Sequence, residues 1–285
     1  MSKEGKRIIR DGRKIMDEAA DIKGLGAVLD KIINAILARL ASMGTNSEGV
    51  ANDSKSNTHK LRMIEKDIEG VLKDEYAPKI QDYYRSFIEV ENNAVALSLE
   101  INDLKVGRGM FRDIRQNSLN YVENALLGDG VKARFIDDWM VNISRQVISG
   151  GDLFSLESTV RNFVINGRFE SYVRQIAMDT INQYHGALQN KIKAEFELEW
   201  IVYVGSIIST SRDQCIRWVG KQYLHESELE GEIAWANDNG SGMIRGTNKG
   251  NFAINRGGWS CRHEGIWVSD EVVPKAIRNR IKQAA

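Results

Sequence analysis

Four side chains in the C-terminal third could do chemistry together: Cys215, His225, Cys261 and His263. Two thiols and two imidazoles make a legitimate tetrahedral zinc set. Against it, structural zinc sites usually supply their cysteines as a close pair, whereas these lie 46 positions apart. Cys261 and His263, two residues apart, share one face of a strand, which permits joint ligation without demanding it. A Cys215–Cys261 contact or disulfide is the better reading. Each thiol has an aromatic neighbour (Trp218, Trp259), and a free cysteine packs as a small apolar residue. Catalysis by a cysteine with His263 or His225 as base is the sharper alternative, and it needs a lowered thiol pKa and a partnering acid. Arg262 and Glu264 bring charge, but strand alternation points them to the face opposite Cys261. The expectation is therefore no metal, no cofactor and no catalytic constellation.

The elements that must hold these residues follow from a change of pattern near residue 195. Pro78 and Pro274 are the only prolines, so the preceding chain is free to run as long helices. Apolar residues recur at helical intervals, as in Ile8, Ile9, Ile15 and Met16 and then Leu29, Ile32, Ile33, Ile36, Leu37 and Leu40. The same spacing predicts helices over 58–75, 79–104, 110–127, 131–148, 153–165 and 168–197. The polar stretch Gly44–Asn57 reads as a loop, and Asp152 and Ser158 are candidate helix caps. Tyr83, Tyr84, Phe87, Trp139, Phe154 and Phe163 read as core. Glu89, Glu91, Asp137, Asp138, Glu195, Glu197 and Glu199 lack metal-ligand spacing and read as a solvated face.

After residue 199, Trp200–Ile207 is a β-branched and aromatic run that predicts a strand. A Ser/Thr cap at Ser209–Ser211 predicts a short helix through Trp218, and His225–Asn237 a second one. Asn239–Asn251 is a glycine-rich loop, His263–Ser269 a strand, and a basic helix follows Pro274. The fold class is thus α+β, mainly α. A helical interaction region spans 1–195 and a small α+β domain 196–285.

Composition limits the function classes. Lys+Arg and Asp+Glu both total 39, so no global field draws the chain to nucleic acid or membrane. Only the ends are basic: Lys3, Lys6, Arg7, Arg10, Arg13 and Lys14, then Lys275, Arg278, Arg280 and Lys282. The last four are the candidates for phosphate contact with DNA. The apolar run Gly24–Leu40 is too short and too charged to span a membrane. It is followed by no cleavage pattern, so a mature chain starting at its own methionine in the cytoplasm is expected. Two cysteines exclude a disulfide scaffold, and Gly240–Gly246 lacks phosphate-loop spacing.

Three segments carry a resemblance: Tyr203–Cys215, Gly220–Glu230 and Asn251–Ser269. Their order resembles the Mu F-like, or phage head morphogenesis, family of minor head proteins. The matching positions are Thr210, Ser211, Arg212, Cys215, Gly220, Lys221, Gly257, Gly258, Trp259, Cys261, Arg262 and His263, within roughly residues 175–270. Trp259 and Ser260 stand where the family pattern has tyrosine and asparagine. The resemblance implies a virion protein of a tailed bacteriophage, present in several copies and assembled in the bacterial host cytoplasm. It implies portal, major capsid or tail-proximal head proteins as partners, and a role in head morphogenesis and DNA packaging or delivery. It also implies that Cys261 faces Cys215, that Trp259 plugs the small core and that Arg262 stays free on the other face. The alternatives are a DNA-processing or toxin-like enzyme using the Cys/His cluster, or an internal DNA-binding protein ejected with the genome.

Overall fold

A computed structural model describes residues 2–47, 49, 50, 55–131, 135–148, 152, 155–158, 160 and 168–284. For 108, 129, 280 and 282–284 it describes the backbone only. The chain is mainly helical with one small antiparallel sheet near the C-terminus, the α+β class expected. Among the described residues no helix is long and apolar enough to cross a membrane.

The chain forms two compact units. One comprises Met1–Ala20, Arg85–Leu119 and Ala177–Ala285, the other Asp21–Tyr84 and Asn120–Ile176. The linear cut expected near 195 marks where helix gives way to strand, at the end of helix Arg168–Phe196. Compactness divides the chain differently, because the N-terminal helix belongs with the C-terminal sheet.

In the second unit, helices Leu25–Ala41 and Lys55–Val71 form an antiparallel pair with Leu29, Ile32, Ile36, Leu61, Ile64 and Ile68 in its core. The loop between them ends sooner than the composition suggests. Asn57 is buried in the first turn of the second helix, and its amide bonds both the N–H and the carbonyl of Gly44 at 3.0 Å. Residues 48 and 51–54 of that loop lie outside the described residues. The break expected before Pro78 is also absent. Lys55–Val71 continues through a π-turn, Leu72–Tyr76, into helix Ala77–Asn102. Proline removes one N–H and crowds the preceding turn, and the wider ladder, with Ala77 N–H bonding Leu72 O, absorbs both effects. Asp152 caps as expected, its carboxylate accepting the Ser155 N–H at 2.9 Å. Phe154, Phe163 and most of the expected 153–165 helix lie outside the described residues.

In the first unit the sheet has the order β2-β1-β3, all antiparallel: β1 Trp200–Val204, β2 Tyr223–His225 and β3 Glu264–Val268. β2 begins inside what reads as a loop before a helix, so this strand is invisible to local pattern. Trp200, Val202, Tyr223, Ile266 and Val268 line one sheet face. They pack on Ile9 of helix Lys3–Ala20, on Leu97, and on Val273 before helix Lys275–Ala284. Ile201, Tyr203, Leu224 and Trp267 line the other face, and Trp267 bonds Gln189 and Asn190 of helix Arg168–Phe196. With both faces covered, β3 is buried along its whole length rather than alternating. Gly12 brings the first helix close to Asn93, whose amide donates to Ile8 O at 2.9 Å.

Among the acids expected on a solvated face, Glu89, Asp137, Asp138, Glu195, Glu197 and Glu199 are exposed. Glu91 is not: it is buried, and both its oxygens accept from Arg115 at 2.9 and 2.7 Å. Helix Asp213–Lys221 meets helix Leu229–Asn239 through a second buried acid, Glu232, bonded by Arg217, Trp218 and Lys221. Burial alone would raise its pKa, but the hydrogen bonds from Arg217 and Lys221 outweigh it and hold the carboxyl at about 2. This stabilisation is present above the unfolded-state value of 4.5 and is lost as pH falls through about 2. Glu232→Gln is therefore expected to be less stable than the parent at pH 7. The gap in denaturant midpoint between the two should close as pH falls from about 4.5 to about 2.

Candidate functional site

The site is built where the end of β1, the start of helix Asp213–Lys221 and the residues before β3 converge. The backbone from 256 to 261 coils unusually tightly, with positive φ at Arg256 (49°), Gly258 (107°) and Ser260 (56°). Three side chains hold this turn from outside. Arg212 donates to the carbonyls of Gly257 at 2.8 Å and Trp259 at 2.6 Å. Gln214 bonds Gly257 O at 3.2 Å and Ser241 O at 2.7 Å. Asp179 accepts the Ser260 N–H at 2.7 Å. The arginine of the Thr210-Ser211-Arg212 turn thus acts as a clamp on the Gly-Gly-Trp segment 45 residues away. Ser211 does not cap the helix as expected. Its hydroxyl accepts the Ile208 N–H at 2.9 Å, and Arg212 occupies the cap position without a side-chain cap bond.

The clamped turn brings together Cys215, Cys261 and His263, all buried. The two sulfurs lie 3.8 Å apart as free thiols, a contact rather than a disulfide. His263 Nδ1 is 3.6 Å from Cys261 Sγ, and the Tyr203 hydroxyl is 3.8 Å from each sulfur. The imidazole stacks on the Tyr203 ring at 5.8 Å between centroids, with 12° between planes. The ring also leaves no room for a methyl at Gly205, where a Cβ would stand 1.9 Å from it. Hydrogen bonds from Cys215 and His263, with the charge of buried Arg256, hold the Cys261 thiol well below its usual range. The hydrogen bond to Cys261, together with burial, pushes Cys215 up.

His225 is not in this cluster. Its Nδ1 meets the Ser227 hydroxyl at 2.8 Å, its Nε2 lies 3.6 Å from Glu199, and its ring sits edge-on to Trp200. It caps the turn Glu226–Glu228 with Glu228. Trp259 is 48% exposed and does not plug the core. That place is taken by Trp218, fully buried against Tyr203 and Phe252. The clamp explains the exchange: Arg212 holds the Trp259 carbonyl, and Trp259's side chain stays on the surface. Arg262 is exposed, as expected. Glu264 opens β3 on the same face as Ile266 and Val268, the face that helix Lys3–Ala20 covers. It is buried, accepts from Arg13 Nε at 2.8 Å, and lies 4.0 Å from His185. Burial raises its pKa against the opposing pull of Arg13.

Cys215, Cys261, His263 and Glu264 all line one cavity of about 590 Å³, together with Arg13, Asp17, Thr210, Ser211 and Arg212. Gly205, Arg256, Tyr203 and Asp179 were not legible as site residues, for their contacts span up to 81 positions. Of the basic ends, Arg7, Arg10 and Lys14 pair with Glu4, Asp11 and Glu18 along their own helix, and Arg13 pairs with Glu264. Lys275 is exposed and Arg278 half-buried; the side chains of Arg280 and Lys282 lie outside the described residues.

The geometry defines a small α+β module with a buried thiol–imidazole cluster opening on a polar cavity. Compared with family models, curated proteins and solved structures, the chain has no match.

Proposed function

We propose that the protein is a minor head protein of a tailed bacteriophage, acting at the portal vertex in head morphogenesis and in DNA packaging and delivery. One observation carries this reading. Several of the scattered residues on which the resemblance rests meet in a clasp around the turn 256–261. Arg212 clamps Gly257 and Trp259, Cys215 meets Cys261, and Lys221 is tied down by Glu232. Such a clasp is a fold-defining device, which suits a structural component. Around it, Ile207, Ile208, Ile216 and Trp259 expose apolar side chains, on two segments that Arg212 joins. They suit contact with portal, major capsid or tail-proximal proteins. The protein is expected in purified virions in several copies, and to copurify with portal and major capsid protein from infected cells. Absence from particles by quantitative mass spectrometry would overturn the reading.

A further inference from the structure

We propose that Cys215, Cys261 and His263 are the ligands of a divalent cation of the zinc type, with the fourth coordination position open to the cavity. This goes beyond the virion reading and does not depend on it.

The first argument is metric. Zinc binds thiolate sulfur at about 2.3 Å and imidazole nitrogen at about 2.0–2.1 Å. At tetrahedral angles these lengths place two sulfurs about 3.8 Å apart and a sulfur and a nitrogen about 3.6 Å apart. The observed separations are 3.8 Å for Cys215 Sγ–Cys261 Sγ and 3.6 Å for Cys261 Sγ–His263 Nδ1. All three donor atoms lie within 4.8 Å of one another. Two of the three donor pairs already stand at ligand spacing.

The second argument is chemical. Two thiolates and an imidazole are a soft-to-borderline set, which selects zinc over the oxygen-seeking magnesium and calcium. Two thiolates balance the charge of a divalent ion, and binding releases the thiol protons to solvent. The Tyr203 hydroxyl, 3.8 Å from both sulfurs, is placed to support the thiolates from outside the ligand set.

The third argument is the cradle. A methyl on Gly257 would stand 2.3 Å from Cys215 Sγ and 3.0 Å from Cys261 Sγ, and one on Gly205 would enter the His263 ring. Gly257 keeps side-chain atoms off both sulfurs, and Gly205 leaves room for the imidazole ring. The cavity wall includes all three ligands, so water or a donor atom of an incoming molecule completes the coordination. Three protein ligands with one open position differ from the closed four-ligand arrangement of purely structural zinc. The fourth member of the zinc set suggested by composition, His225, is replaced by this opening.

The test uses the full chain, reduced and stripped of metal, titrated with Co²⁺ and then Zn²⁺. One equivalent of Co²⁺ should give tetrahedral visible bands and sulfur-to-cobalt charge transfer, displaced by one equivalent of Zn²⁺ with a rise in Tm. Cys215→Ser or Cys261→Ser should reduce the charge-transfer intensity and weaken zinc binding by more than about 100-fold. His225→Ala should leave both unchanged. Absence of charge transfer and of a zinc-dependent Tm shift in the parent chain overturns the proposal. So does stoichiometric metal retained by a folded Cys215→Ser/Cys261→Ser variant, or loss of binding in a folded His225→Ala variant.

Discussion

Gly258→Ala is expected to destabilise the first unit by about 3 kcal/mol or more, the sum of a left-handed backbone cost and overpacking. At φ 107° an alanine is strained before any neighbour is considered. Its methyl would also stand 1.8 Å from the Gly242 carbonyl oxygen and 2.8 Å from the carbonyl carbon, both backbone atoms. The segment at Gly242 cannot retreat cheaply. Gly242 itself has φ 67°, and the Arg212 side chain that clamps Gly257 and Trp259 packs beside it. Moving either segment breaks those bonds. Gly231→Ala is the control. It lies in helix Leu229–Asn239 with no atom within 4 Å of a new methyl. There, helix propensity favours alanine by up to about 1 kcal/mol. Denaturant midpoints of the two variants should move in opposite directions. A parent-like midpoint for Gly258→Ala would mean that the turn does not depend on this approach.

Glu91→Ala is expected to cost about 2–4 kcal/mol, because it strands a buried partner. Glu91 accepts from Arg115 through both oxygens and from the buried Tyr184 hydroxyl, whose ring packs on Phe87 at 4.7 Å between centroids. Burial and then the Glu91 hydrogen bond push the Tyr184 pKa up, so the phenol stays a donor across the neutral range. Arg115 keeps 31% of its side chain in solvent; it can rehydrate, which holds the loss below that of a fully enclosed pair. Tyr184→Phe removes one donor and should cost about 1 kcal/mol. A Glu91/Arg115 double-mutant cycle in chemical denaturation should show a coupling well above the surface-pair range of 0.2–1 kcal/mol. A coupling within that range would mean that the buried pair contributes no more than a surface pair does.

These two sites also show what kind of information the sequence carries. Glu91 sits in a helix whose apolar face is plain, yet nothing in its spacing separates it from exposed Glu89. Burial is decided by Arg115 and Tyr184, 24 and 93 positions away. The π-turn at Leu72–Tyr76 is similar. Pro78 announces a disturbed helix, but continuation rather than termination depends on the ladder rearrangement around Ala77. Strand β2 is three residues long and exists because β1 offers it an edge, not because its own residues demand extension.

The sequence by itself determined the mainly helical α+β class, the change of pattern near 195 and the strands at Trp200 and Glu264. It did so because periodicity and breakers act over a few residues. It also singled out Cys215, Cys261 and His263, since residue type alone limits which atoms can hold a proton or a metal. Only the tertiary structure separated them from His225, exposed Trp259 in favour of Trp218, and turned Glu264 into a shared cavity. Those outcomes rest on contacts between residues tens to hundreds of positions apart: Arg212 with Gly257, Asp179 with Ser260, Arg13 with Glu264. Such contacts are decided when the layers close on one another, so no local spacing records them.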